Sequence, residues 1–92
     1  MIVTLDEMKT YLKVDTSDDD DLIQSIINSA VKLCMSVARI DTEEEFAKHF
    51  EEARISVMYT VAYMYEHREE ADYHALTIAL RSLLFGMREV DF

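Results

Sequence analysis

The stretch that decides the fold runs from Phe46 to Arg68 and reads FAKHFEEARISVMYTVAYMYEHR, without Gly or Pro. At about 100° per residue, one face of a helix through it carries the apolar residues Phe50, Ala53, Val57, Val61, Met64 and Tyr65. Ile55, Tyr59 and Tyr63 follow at intervals of four and fall on nearly the opposite face. A helix that is apolar on two sides is buried on two sides. We therefore expect this helix at the centre of the domain, or between its own core and a second subunit.

The composition favours one helical domain over residues 1–92. Half of the residues are hydrophobic (50%), with one Gly and no Pro, which suits helices joined by short polar links and opposes a strand-and-turn fold. A chain of 92 residues is long enough for one modest core. We predict an all-α fold, a small bundle of three main helices plus a short N-terminal helix.

A capping box and the apolar pattern predict the three helices besides the long one. Thr4 and Glu7 fit a capping box, in which Thr caps the helix and Glu reaches back to the backbone N–H of the cap, so a short first helix should run to about Lys13. The apolar pattern predicts a second helix over about Asp18–Arg39 and a last one over about Tyr73–Phe85.

A second capping box precedes the long helix. Thr42 and Glu45 have the required spacing, and residues 43–49 fit either the start of the long helix or a separate short turn. The long helix should end near Glu69 or Glu70. Gly86, the only Gly, lies where a left-handed residue would end the last helix.

Charge and cysteine content exclude several classes of protein. The net charge of −10 argues against sequence-specific DNA binding, because such binding depends on contacts of Lys and Arg side chains with DNA phosphates. The single Cys34 cannot form an internal disulfide, and its apolar helix face predicts a buried structural thiol. No apolar run reaches the length of a membrane span, and the N-terminal residues do not resemble a signal peptide, so we expect no membrane association.

The sequence offers few residues for metal or cofactor chemistry. The acidic run Asp18–Asp21 fails as a calcium loop, because loop positions 6 and 12 would hold Asp20 and Ile26 instead of Gly and Glu. It is better explained as the negatively charged first turn of a helix. The three histidines fit helix ends or polar surface better than metal ligation, and we expect no cofactor; they are His49, His67 and His74.

One acidic pattern resembles part of an enzyme site. Small helical nucleotide pyrophosphatases of the MazG type hold magnesium with EExxE and a later ExxD, and Glu69 to Asp72 provides the ExxD. The first motif fails, because its third acid would fall at Lys48 or Ile55. Magnesium would then have too few carboxylate ligands, so this enzyme remains a minor alternative.

The second apolar stripe of the long helix has two interpretations. Ile55, Tyr59 and Tyr63 either complete the core of the same molecule or form a subunit interface, where Tyr is enriched. A chain of 92 residues has little surface with which to cover both sides of its longest helix. This favours the oligomer interface slightly.

Three blocks of sequence follow one another along the chain. The opening block combines Leu5–Asp15, an acidic link and the amphipathic Asp21–Ala30. The second block is Met64–Glu69, and the third is the leucine-rich Leu83–Arg88. In this order the blocks resemble the small head–tail connectors of tailed bacteriophages, a family also described as phage DNA-packaging or head-completion proteins. The second block is similar to the Tyr-Glu-Asn-Arg-Glu signature of that family, with His67 in place of Asn, and the links lack the Pro that the family often carries.

The resemblance implies a structural protein of a phage or prophage without catalytic activity. Such a protein assembles as a homo-oligomeric ring between the portal and the tail-completion proteins, around a channel through which DNA passes without specific binding. It implies a place at the head–tail junction of the virion, and in the bacterial cytoplasm before assembly.

The signature block is expected to be structural. Tyr65, Glu66, Arg68 and Glu69 belong to it, and Arg68 should make a charge-assisted hydrogen bond to one of the glutamates or to helix-end carbonyls. The alternative to a connector is a generic acidic helical module or small regulator that binds another protein.

Overall fold

The computed structural model describes residues 2–67 and 73–84, which contain five helices and no strand. The helices are α1 (Leu5–Leu12), α2 (Asp20–Ala38), α3 (Glu43–Ala47), α4 (Phe50–Glu66) and α5 (Tyr73–Leu84). The all-α prediction is confirmed. The short α3 is separate from the long helix, which decides between the two alternatives for residues 43–49. Gly86 lies outside the described residues.

Local side-chain contacts mark the start of α1 and the end of α4. The Thr4 hydroxyl accepts the Glu7 N–H at 3.2 Å, and Glu7 accepts the Thr4 N–H at 3.0 Å, so the predicted capping box is confirmed. The expected end of the long helix at Glu69 or Glu70 is wrong, since α4 ends at Glu66. The Nδ1 atom of His67 lies 3.0 Å from the Tyr63 carbonyl, within reach of one of the last carbonyls of the helix.

Two helices end at a residue that has the left-handed backbone conformation although it is not Gly. Lys13 and Arg39 have φ of 60° and 59°. In each case the next N–H bonds back five residues, from Val14 to Lys9 and from Ile40 to Met35, at 2.9 Å. This is the Schellman arrangement, which pairs the last carbonyls of a helix and turns an apolar residue inward. Val14 and Ile40 accordingly pack against the core.

The bundle is built around α2 and α4. These two helices make the most extensive contact, α5 packs against both, α1 lies across both, and α3 packs against α4. α4 therefore touches each of the other four helices, as expected for a central helix. The most deeply buried large side chains of the shared core are Val3, Met8, Ile23, Ile27, Phe46, Val57, Val61, Leu76, Leu80 and Leu84.

The buried face of α4 is rotated from the one that the apolar pattern predicted. Its buried residues are Ala53, Ser56, Val57, Thr60, Val61 and Met64. Phe50 was expected on this face, but it is 52% exposed and lies beside Arg54, whose guanidinium carbon is 5.5 Å from the ring centroid. Phe46 on α3 is fully buried. The separate turn of α3 thus brings the earlier phenylalanine into the core and leaves the later one at the surface.

The contact between α2 and α4 contains a small polar cluster. The Cys34 thiol lies 3.4 Å from the Thr60 hydroxyl, and that hydroxyl donates to the Ser56 carbonyl at 2.7 Å. Burial raises the pKa of Cys34 to about 11, so the thiol stays protonated and unreactive at neutral pH. The predicted buried structural thiol is confirmed. The neighbouring Ser56 hydroxyl is also buried, and no hydrogen-bond partner for it occurs among the described residues.

The unsatisfied hydroxyl of Ser56 predicts a stabilising substitution. Burying a hydroxyl without a partner costs about 1–3 kcal/mol, and Ala is a better helix former than Ser by about 0.5 kcal/mol. Ser56→Ala should therefore raise the free energy of unfolding by about 1 kcal/mol or more, measured by urea denaturation. Ser29→Ala, at an exposed position of α2, measures the helix propensity alone. Equal effects of the two substitutions would contradict a penalty at Ser56.

No helix within residues 2–67 or 73–84 has both the length and the apolar composition needed to cross a membrane.

Candidate protein interface on the long helix

An open groove lies between the C-terminal end of α1 and the outer side of α4. Its volume is about 570 Å³. We call it the aromatic groove; its lining residues are Tyr11, Leu12, Lys13, Tyr59, Ala62, Tyr63, Glu66 and His67. Two of the three residues predicted as an oligomer interface, Tyr59 and Tyr63, line it. The third, Ile55, lies one helical turn before Tyr59 and is 59% exposed.

The aromatic side chains of the groove are only partly covered by their own chain. Tyr11 is 53% exposed and Tyr59 is 43% exposed. Tyr63 is half-buried and packs against the core, and its ring stacks on His67 with the centroids 4.3 Å apart and the planes at 20°. A fixed stack and two exposed tyrosines give a surface that is apolar yet bears hydroxyls, a composition enriched in protein interfaces.

A clamp around Arg54 fixes α1 against α4 and so shapes the groove. Arg54 Nη2 lies 2.6 Å from Glu7 Oε2, and Nη1 donates to the Ile2 carbonyl at 3.1 Å. At the other end of α1, Lys9 Nζ is 2.7 Å from Asp20 Oδ1. No hydrogen bond of good geometry reaches that oxygen from the described residues, so the contact with Lys9 is an ion pair.

Tyr65 of the signature block joins the C-terminal end of α4 to the start of α2. The Tyr65 hydroxyl donates to Asp19 Oδ2 at 2.7 Å. Hydrogen bonds to an ionised carboxylate are stronger than those between two neutral groups. Glu66 is exposed on the rim of the aromatic groove. Arg68 and Glu69, the other two signature residues, lie outside the described residues. This contact of Tyr65 with Asp19 was not predicted from the sequence.

A comparison with known protein families identifies the family of the chain. The model of the phage gp6-like head-tail connector protein family matches residues 2–87. The chain belongs to this connector family. The resemblance found in the sequence is thereby confirmed. No curated protein and no solved structure matches the chain. Membership makes it a phage head–tail connector, a structural protein of the virion that interacts with other phage head or tail proteins.

Some of the acidic residues of the connector make contacts within its fold, and none of those that the structure describes forms a metal site. Within residues 2–67 and 73–84, no group of three or more His, Cys, Asp or Glu side chains is placed to hold a metal ion. In the acidic run, Asp19 accepts from Tyr65 and Asp20 pairs with Lys9. Glu69 and Asp72, which carried the comparison with magnesium pyrophosphatases, lie outside the described residues.

The clamp gives the connector an acid-sensitive contact. The Arg54 side chain and then the Thr4 N–H stabilise the ionised form of Glu7, and they lower its pKa from an ordinary 4.5 to about 2. A carboxylate whose pKa is lower in the folded protein stabilises the fold above its unfolded pKa. This stabilisation is lost as the pH falls from about 4.5 towards 2.

Glu7→Gln should therefore lower the melting temperature between pH 5 and 7 but not near pH 2. Gln can still serve in a capping box, so the substitution removes mainly the ion pair with Arg54. Glu52→Gln, which removes another acid from the first turn of a helix, controls for the change in net charge. A difference between Glu7→Gln and the unsubstituted protein that persists unchanged at pH 2 would contradict the lowered pKa.

The sequence singled out residues of the groove that lie on α4 but not those that lie on α1 or at its end. Ile55, Tyr59 and Tyr63 were identified from their spacing on α4. Tyr11 and Lys13 were not, because they lie on a different helix, and only packing brings α1 beside α4. Arg54 also gave no sequence signal, since its contact with Ile2 joins residues 52 positions apart.

Proposed function

We propose that the connector, as one domain over residues 1–92, assembles into a closed homo-oligomeric ring between portal and tail. The ring surrounds the DNA exit channel and acts without catalysis. The observation that carries this proposal is the exposed apolar stripe on the central helix of a chain in the connector family. Ile55 and Tyr59 remain exposed although α4 contacts every other described helix.

The aromatic groove has the properties of an interface. A stripe that extends from Ile55 through Tyr59 into the groove is a contiguous apolar surface, and such surfaces mark sites of protein interaction. Tyr and other aromatic side chains contribute much of the binding energy where they are buried by a partner. In a ring, each subunit uses two different surfaces, because only a head-to-tail contact whose rotation closes can continue around the circle.

The charge of the connector suits a DNA channel. With a net charge of −10, the ring would gain little from phosphate contacts, which depend on Lys and Arg. Asp18, Asp21, Glu43 and Glu44 are exposed. These acids support passage of DNA without specific binding. The other partners in this proposal are the portal and tail-completion proteins, with assembly from the bacterial cytoplasm into the head–tail junction.

The mass of the purified connector at rising concentration, alone and with its phage portal, tests the proposal. Sedimentation should show a species far larger than a dimer, and electron microscopy should show it as a ring. A protein that stays monomeric or dimeric at every concentration, with and without portal, would instead be a generic acidic interaction module. Magnesium-dependent release of pyrophosphate from nucleotides would contradict the absence of catalysis.

A further inference from the structure

The outer face of α5 carries an exposed apolar side chain beside a basic one. Ile78 is 51% exposed. At about 100° per residue, it lies nearly opposite the buried Leu76, Leu80 and Leu84. Arg81 is also exposed, and it is a neighbour of Ile78 on the helix because the two are three residues apart. This face therefore offers an apolar knob flanked by a positive charge.

The aromatic groove has the complementary properties. It is concave, it is lined by Tyr11, Tyr59 and Tyr63, and its rim carries the exposed carboxylate of Glu66. Neither Glu66 nor Arg81 forms an ion pair with any residue of the described ranges. A protein with a net charge of −10 repels its own copies. Contacts that place a cation of one copy against an acid of the next reduce this repulsion.

We propose that the outer face of α5 of one connector subunit docks into the aromatic groove of the next. Ile78 enters between the tyrosines, and Arg81 pairs with Glu66. This inference rests on the proposed ring and identifies its two surfaces. A groove-to-groove contact between two copies would use the same surface twice and stop at a dimer, whereas α5 and the groove are different surfaces and allow a head-to-tail contact to continue.

Cysteine pairing between separate chains tests the contact directly. Ala62→Cys places a thiol in the groove and adds one sulfur atom there. Ser82→Cys is nearly isosteric and places a thiol on α5 a single turn beyond Ile78. The two variants are mixed under conditions in which sedimentation shows assembly, with portal added if assembly requires it, and then oxidised. The proteins without added cysteine form the control, since Cys34 is buried and should not react. As a control for position, Ala62→Cys is also mixed with Ser29→Cys, which places a thiol at an exposed position of α2 instead of α5.

The result expected is a disulfide between Ala62→Cys and Ser82→Cys chains that forms only in the mixture. A disulfide between two Ala62→Cys chains would show a groove-to-groove contact and overturn the inference. Assembled particles without the mixed disulfide would also overturn it, but would leave the proposed ring intact. Absence of any assembly would overturn the ring and the inference together.

Charge exchange supplies an independent measurement of the same contact. Glu66→Arg and Arg81→Glu should each weaken assembly by roughly tenfold, because each places like charges together. Combining both in one chain restores opposite charges across the contact and should return assembly towards the original level. Glu51→Arg, an exposed acid of α4 outside the groove, is the control. A double variant that assembles no better than the single ones would overturn the pairing of Arg81 with Glu66.

Discussion

Phe46→Ala is expected to destabilise the connector by about 3–5 kcal/mol, the usual cost of removing a fully buried phenylalanine from a core. Phe46 has no exposed surface and is the largest of the fully buried side chains. For a domain of this size, each kcal/mol shifts the melting temperature by about 4–8 °C. The melting temperature should therefore fall by more than about 10 °C, a change that thermal unfolding followed by circular dichroism will resolve.

Phe50→Ala is the matched control, since it removes the same side chain four residues later. Phe50 is half exposed and lies against the Arg54 guanidinium, an interaction worth about 0.5–1 kcal/mol at exposed sites. The loss of stability should be several times smaller than at Phe46. Equal losses at the two positions would mean that α3 does not place Phe46 in the core while leaving Phe50 outside.

The combined substitution Ile55→Ser and Tyr59→Ser should have the largest effect on assembly. Both side chains are exposed on α4, so their removal should change the stability of the dilute monomer by about 1 kcal/mol or less. If a second copy covers them, truncating an aromatic anchor and its apolar neighbour costs about 2–4 kcal/mol of association energy. Self-association measured by analytical ultracentrifugation should then weaken by roughly 30-fold to 1,000-fold.

Leu22→Ser is the control for a general loss of apolar surface. Leu22 lies on α2 outside the groove and is also an exposed large hydrophobic residue. Its substitution should leave association unchanged within about twofold. If Leu22→Ser weakened assembly as much as the α4 variant, the stripe of Ile55 and Tyr59 would have no special role in subunit contact.

The two predictions concern the core and the surface of the bundle: Phe46 on α3 is fully buried, whereas Ile55 and Tyr59 on α4 are exposed. The side of α4 that carries Val57 and Val61 is inside the bundle, and the side that carries Ile55 and Tyr59 is partly open. Substitutions in the core, such as Phe46→Ala on α3, should therefore change unfolding, and those on the open side of α4 should change assembly.

The chain order of the main helices, the approximate ends of α1, α2 and α5, and the buried state of Cys34 followed from the sequence alone. These properties depend on local features: caps that satisfy nearby backbone N–H groups, and an apolar repeat with the period of the helix. The family was also recognisable, because its blocks are short, ordered and continuous in the chain. The family match over residues 2–87 confirmed that recognition.

Only the tertiary structure decided which phenylalanine is buried, which side of α4 faces the core and what forms the second wall of the groove. The apolar repeat places Phe50 and Val57 on one face of a helix. It does not predict that α3 forms a separate turn, and this turn buries Phe46 while Phe50 stays exposed. The contact of Arg54 with Glu7 and that of Tyr65 with Asp19 join distant segments. Their partners are set by how helices pack, which a local periodicity does not specify.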